Sequence, residues 1–267
     1  MSDCLIGTSG WVYPHWRGVF YPEDLPQARW FEHYARHFPT VEINYSFYRL
    51  PTEGSFDRWR EQSPAGFVYA VKANRYLTHI KRLKDCQEPL ERFLSRARRL
   101  GDKLGPILYQ LPPRWKANPE RLEEFAHLLP KDLIHVFEFR DERWFIEPVF
   151  QILQAHGLAF CIFDMPGLEC PLRVTSDVVY IRFHGAGWLY AGRYSREMLA
   201  TWAQRIAHFL SEGRRVYAYF NNDAFGHAVV NARELAGMIG AIAAESQDLC
   251  GGQEDRMQIP PMRADLR

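Results

Sequence analysis

Eight short β-rich runs recur along this chain with segments of helical period between them, and that alternation is compatible with few folds. The runs are Cys4 to Thr8, Thr40 to Asn44, Phe67 to Lys72, Ile107 to Leu111, Ile134 to Arg140, Leu158 to Asp164, Val178 to His184 and Val216 to Asn221. Helical segments are expected near 27–38, 53–63, 86–101, 119–129, 143–156, 195–212 and 225–244. Asn118-Pro119-Glu120 supplies a capping side chain, a first-turn proline and an acid, and Gly101, Gly157 and Gly213 stand where helices should stop. Eight parallel strands in right-handed succession close on themselves, so the fold expected is a single (β/α)8 barrel rather than an open doubly wound sheet. The sixth unit is the exception. Pro166, Gly167, Pro171 and the short span to Asp177 predict a loop in place of its helix.

Length supports one domain, because 267 residues match the roughly 250 of one such barrel. The expected division is a barrel over 1–245 and a flexible tail over 246–267, where Gly, Pro and charge mix without period. No G-x-G-x-x-G or P-loop motif follows any strand, which removes the usual dinucleotide and nucleotide readings. No run of about 18 apolar residues is present, and Met1-Ser2-Asp3-Cys4 has no basic lead-in to an apolar stretch, so no membrane partner and a cytoplasmic setting are expected. The five cysteines are odd in number and form no C-x-x-C pair, consistent with reduced structural thiols.

Net charge is only +1, which excludes a global field for nucleic acid. Charge is nevertheless uneven: Lys72, Arg75, Lys81, Arg82, Lys84, Arg92, Arg96, Arg98, Arg99 and Lys103 stand against Asp85, Glu88, Glu91 and Asp102. Such a run reads either as a solvated helix face or as an anion-binding rim.

Side chains alternate across a strand, so residues in step share one face. This puts Glu42 and Asn44, Glu138 and Arg140, and Arg182 and His184 inside the barrel, with Val41, Ile43, Phe137 and Phe139 outside. Lys72, Gln110, Asp164 and the trio Asn221, Asn222 and Asp223 close other strands at the same level. Every strand thus turns polar at its C-terminal end, the end that carries catalytic groups in this architecture. Trp11, Tyr13, Trp16, Tyr45, Tyr48, Trp188 and Tyr190 fall just beyond the strands and are expected as ligand walls. One bland reading stays open, in which Lys72, Arg140 and Arg182 neutralise Glu42, Glu138 and Asp164 in a plug of ion pairs. The other histidines, His79, His127 and His156 among them, read as surface or core side chains, and Asn221-Asn222-Asp223 reads equally as a turn.

At these residues the chain resembles the YecE-like family, catalogued as domain of unknown function seventy-two. The matching pieces are GTSGWVYPHWRGVFYP from Gly7, VEINYSFYRLPT from Val41, FVYAVKANRYLTH from Phe67, LYQLPPRW from Leu108, FEFRDERWF from Phe137, YIRFHG from Tyr180 and YAYFNND from Tyr217. The resemblance implies a β/α barrel with its motifs around the C-terminal mouth, and no settled activity.

From the residues, the expected role is an enzyme or binder for a small anionic or polyhydroxylated ligand. Arg140 and Arg182 would hold a phosphate or carboxylate, and Glu42 or Glu138 would act as base. His184 would be the acid/base partner, Asp164 a further acid, and Lys72 an electrostatic group or Schiff-base former. The reaction would be that of a hydrolase, lyase or isomerase. Metal-assisted phosphoester chemistry, with magnesium or manganese on Glu138, Asp164 and His184, is the first alternative. Glycoside hydrolysis by a carboxylate pair is the second. A nucleic-acid surface on the basic stretch 72–103 is the third.

Overall fold

The computed structural model describes residues 3–254, with side-chain surroundings given through 245. Eight parallel strands close into a barrel in sequential order: β1 Cys4–Thr8, β2 Thr40–Ile43, β3 Val68–Lys72, β4 Leu104–Gln110, β5 His135–Glu138, β6 Ala159–Asp164, β7 Val178–Phe183 and β8 Arg215–Phe220. β8 pairs with β1 from Cys4 opposite Val216 to Thr8 opposite Phe220, which completes the ring and leaves no sheet edge.

Around the ring run α1 Trp30–Ala35, α2 Tyr45–Tyr48, α3 Glu53–Gln62, α4 Gln87–Ala97, α5 Pro119–Ala126, α6 Glu147–Ala155, α7 Arg196–Ser211 and α8 His227–Glu254. The expected cap at Asn118 forms, accepting from the Arg121 amide at 2.9 Å to start α5, and Ser195, which was not singled out in sequence, accepts from the Met198 amide to start α7. Several helices are shorter than their periodic patterns because 3-10 turns take their ends, as at Gln27–Arg29, Arg98–Lys103 and Glu142–Trp144. α8 is longer: helical backbone continues to Glu254 where a tail was expected from 246, and the rest of that expected tail lies outside the described residues.

As expected, no helix separates β6 from β7. The connecting chain lies against β6 instead, where Thr175 Oγ1 accepts from the Phe160 amide at 2.8 Å and Cys170 Sγ from the Phe163 amide at 3.4 Å. Two features carried no periodic signal, namely the four-residue α2 and a π turn at Tyr76–Ile80 after β3.

Inside the barrel, size is distributed unequally. Ala70, Ala159 and Cys161 are fully buried on β3 and β6, and the space they leave takes Tyr180, Tyr217 and Tyr219 from β7 and β8 with Leu5, Leu108 and Val136. Outward-facing residues such as Val41, Ile43, Phe137, Phe139, Ile181 and Phe183 join the larger core under the helices.

Candidate functional site

Above the tyrosine layer sits a buried ion network. Arg182 is fully buried and bridges two acids, with Nη2 2.7 Å from Glu42 Oε1 and Nη1 2.6 Å from Glu138 Oε2. Tyr180 donates to the other oxygen of Glu42 at 2.6 Å. Glu138 also accepts from Gln110 Nε2 at 3.0 Å and from His184 Nε2 at 3.0 Å, and Arg140 Nε lies 2.6 Å from its Oε1. That last contact is ionic, since the Arg140 N–H is not aligned on the oxygen as a hydrogen bond.

The network fixes the protonation states. Burial would push Glu138 up, but the Arg140 and Arg182 guanidiniums and the His184 hydrogen bond hold it well below the carboxylate range. Burial, with Arg182 and Arg140 nearby, pushes His184 down to about 3. His184 is therefore neutral around neutral pH, with Nε2 donating to Glu138 and Nδ1 accepting from Asn221 Nδ2 at 3.2 Å. Both ring nitrogens are in use.

Lys72 is different. Its side chain is 8% exposed, its Nζ sits 4.3 Å above the centre of the Phe47 ring, and no acceptor or acid of a described residue partners it. Burial and the Arg182 charge lower its pKa to about 7, against the opposing pull of Glu138 and Glu42. Charge accounting explains why. Glu42 and Glu138 are balanced by Arg182 and Arg140, which leaves Lys72 as a surplus cation.

The expected third acid is absent because Asp164 faces the other way. On β6 the residues in the interior are Ala159 and Cys161, Phe163 stands beside Arg182, and Asp164 stands beside the outward Phe183. Its Oδ2 accepts from Trp202 Nε1 of α7 at 3.1 Å. Glu138, Asp164 and His184 are therefore not brought together as metal ligands. Among the described residues the three-donor group is elsewhere, at Glu123, His127 and His156 on the C-terminal ends of α5 and α6, with ligand atoms within 4.8 Å of one another.

The remaining expected residues divide in the same way. Asn221 reaches the interior, but Asn222 is fully buried on the other face, donating to the Gly192 carbonyl at 2.9 Å and to Asn231 at 3.1 Å. Those two bonds tie the loop after β7 to α8 through Asn222. The loop turns at Gly185, whose φ of +110° suits glycine and where a Cβ would run into the Trp188 carbonyl. Trp16 is packing rather than wall: it is fully buried among Tyr13, Phe20 and Tyr21, with Nε1 donating to the Asp223 carbonyl at 3.1 Å. Burial raises the pKa of Asp223. Arg140 stays at the mouth, with Nη1 on the Met165 sulfur and Nη2 3.4 Å from the Tyr190 hydroxyl. Tyr48 and Trp188 are 71% and 78% exposed, so they form an outer rim and not a closed wall.

Trp11, Tyr13 and Asn44 line a cleft of about 470 Å³ with Ser9, Tyr45 and Trp59. Ser9 Oγ and Asn44 Oδ1 are buried there without a protein partner. A slightly larger cleft, about 550 Å³, lies at the other end of the strands near Cys4 and Phe38 and touches none of these groups. Sequence reasoning missed Phe47, Tyr180 and His79. His79, carried by the π turn, packs 4.9 Å from the Phe47 ring and is pushed down to about 4 by burial and the Lys72 charge.

Much of the basic stretch is engaged by partners within the chain, at the exposed surface. Arg92, Arg98 and Arg99 pair with Glu88, Asp132 and Asp57, while Arg96 and Lys103 donate to backbone carbonyls. What stays exposed near the mouth is Arg75, Arg82 and Lys84 on the loop between β3 and α4.

The family model described as "Protein of unknown function DUF72" matches residues 5–253. The chain belongs to this family. It is similar to the UPF0759 protein YunF of Bacillus subtilis, 26% identical with 86% of this chain and 92% of that one covered. It is also similar to the UPF0759 protein YecE of Escherichia coli, 30% identical over about half of each chain, 52% and 49%. A DUF72 family protein of Thermotoga maritima shares the fold at a TM-score of 0.80 and 30% identity, covering 89% of this chain and 99% of that one. A second, from Enterococcus faecalis, aligns at 0.75 and 21% identity over 89% of this chain and 95% of its own, and bears on fold alone. The family carries no assigned reaction in its description, so the chemistry of this member must be argued from its own residues.

Proposed function

We propose that the C-terminal mouth of the barrel binds and acts on a small ligand bearing a phosphate or carboxylate, with Lys72 and Arg140 as the groups that meet it. One observation carries this reading: Lys72 is a buried amine without an acceptor among the described residues, set beside an ion network that is already neutral within itself. An anion entering there supplies the missing partner, at lower cost than it would elsewhere because the lysine is already desolvated.

In this reading the Glu42–Arg182–Glu138 network is the floor of the site. Glu138 has both oxygens doubly engaged and orients Arg140 and His184, while Glu42 spends one oxygen on Arg182 and the other on Tyr180, so in this reading neither acid is the base. Arg140, held by Glu138, offers its outer N–H groups to the ligand anion. Gln110, whose amide nitrogen is held by Glu138, keeps its oxygen for a ligand hydroxyl, and the cleft of Ser9, Asn44, Trp11 and Tyr13, which neither Lys72 nor Arg140 lines, adds polar groups and apolar walls at the ends of β1 and β2. With its pKa lowered to about 7 by burial, the Lys72 amine is far more readily unprotonated near neutral pH than an ordinary lysine, which gives the mouth a base or nucleophile. A cytoplasmic setting fits the free thiols of Cys86, Cys161 and Cys170.

The test is a thermal-shift screen of carboxylates, phosphates and sugar phosphates against the wild type and a Lys72→Met/Arg140→Gln double variant. A ligand that stabilises the wild type should bind the variant at least about ten-fold more weakly. Equal shifts in both proteins would place the binding elsewhere and end this reading.

A further inference from the structure

We propose that Lys72 is a nucleophile that forms an imine with a small aldehyde or ketone carrying an anionic group. The inference rests on the mouth-binding reading above and names the class of ligand that site takes.

Three features of the geometry support it. First, Nζ donates to no acceptor among the described residues. A lysine that served structure would be expected to reach an acid or a carbonyl, as Lys103 does with Arg60 and Ser63, whereas among the described residues the Lys72 amine meets the face of Phe47 and no acceptor. Second, Lys72 ends β3 and points into the barrel in step with Val68 and Ala70, so its stem is held by the sheet and its amine is delivered to a set place. Third, Arg140 lies across the mouth with Nη2 toward Tyr190, where a carboxylate or phosphate attached to the carbonyl carbon can be gripped while the carbonyl faces Nζ.

The step balances without an outside oxidant or reductant. The Nζ lone pair attacks the carbonyl carbon, and the C–O π pair moves to oxygen. The two amine hydrogens pass to that oxygen, water leaves, and a C=N double bond joins ligand and lysine. Protonation of the imine nitrogen from solvent then makes it an electron sink toward the neighbouring carbon. The surplus positive charge that the free amine sheds is restored in that iminium, next to Glu42 and Glu138, and the ligand anion offsets it.

Reductive trapping tests this directly. Protein at pH 7 is mixed with glyoxylate or with pyruvate, borohydride is added, and intact mass is followed by peptide mapping. At this pH only on the order of one in a thousand ordinary surface lysines is unprotonated, so a poised amine stands out. The expected result with glyoxylate is a single carboxymethyl group on the peptide bearing Lys72, at least ten-fold above any other lysine and missing from both K72R and K72M. Two variants are used so that one poorly folded protein does not decide the matter, and each is checked by its melting curve.

Labelling spread over exposed lysines, with Lys72 unmodified, overturns the imine. If glyoxylate or pyruvate then still raises Tm in a manner that needs Lys72 and Arg140, the binding reading stands without it. If no ligand in the screen does so, both fall.

Discussion

Arg182 and Lys72 are both cations turned into the same barrel interior, yet one grips two carboxylates and the other meets no acceptor among the described residues. Arg182 meets two carboxylates with no exposure at all, and Lys72, on β3, looks past them toward an aromatic ring and the opening. The difference teaches how a barrel can hold a stabilising floor and a reactive group in one cavity: the acids are matched one for one by arginines, and the amine is added beyond the match. A buried pair is costly to break from one side, whereas an unpaired buried cation is a cost the fold already bears.

The largest expected effect follows from that contrast. Arg182→Met leaves Glu42 and Glu138 buried without their shared partner and should lower the unfolding free energy by about 3–5 kcal/mol, read from urea titration. Lys72→Met should cost far less or stabilise. If the two variants fall by similar amounts, the division into floor and reactive group is wrong.

A pH series sharpens it further. The Lys72 pKa in the folded protein, about 7, lies below its ordinary 10.5. Between those values the unfolded chain binds the extra proton, so this group makes wild-type stability rise with pH, and below pH 7 its full burial cost is present. Relative to wild type, Lys72→Met should therefore be most favoured near pH 6 and lose that advantage steadily toward pH 10. A difference independent of pH would mean that the amine is not poised.

Next in size is Asn222→Ala, which removes two hydrogen bonds from a fully buried amide and should cost about 1–3 kcal/mol. Amide exchange should quicken over 185–192, the loop it ties down, with little change in β7. The smallest effect is expected for Asp164→Asn, about 1 kcal/mol or less through Trp202. Ligand affinity should be unchanged, and a ten-fold loss would return Asp164 to the mouth.

How much of this was legible in sequence depended on contrast between neighbours. On β2, β5 and β7 a charged residue alternates with an aliphatic or aromatic one, as in Glu42-Ile43, Glu138-Phe139 and Arg182-Phe183, and the faces could be read off directly. β6 reads Ala-Phe-Cys-Ile-Phe-Asp, apolar on both faces, so nothing set its phase and Asp164 was placed inside by its level alone. Asn221 and Asn222 posed the same ambiguity, resolved only by their being in and out of step with Tyr219. Phe47 and His79 sit on a four-residue helix and a π turn, segments too short for a period to show. Trp16 was misjudged because an aromatic just past a strand fits both a wall and a core, and only packing decides. The resemblance of motifs, by contrast, held across the chain, because it rested on several in order.

The stretch between β6 and β7 has a consequence for how such a molecule can vary. Elsewhere the ring is armoured by a rod of helix, whose length must match the strand it backs. Here the cladding is a strap of extended chain, fastened by Cys170 and Thr175 to strand amides. A strap can be let out or taken in between its fastenings without shifting a helix, so this arc is the place where relatives can differ in size while the chemistry at the opening is left alone.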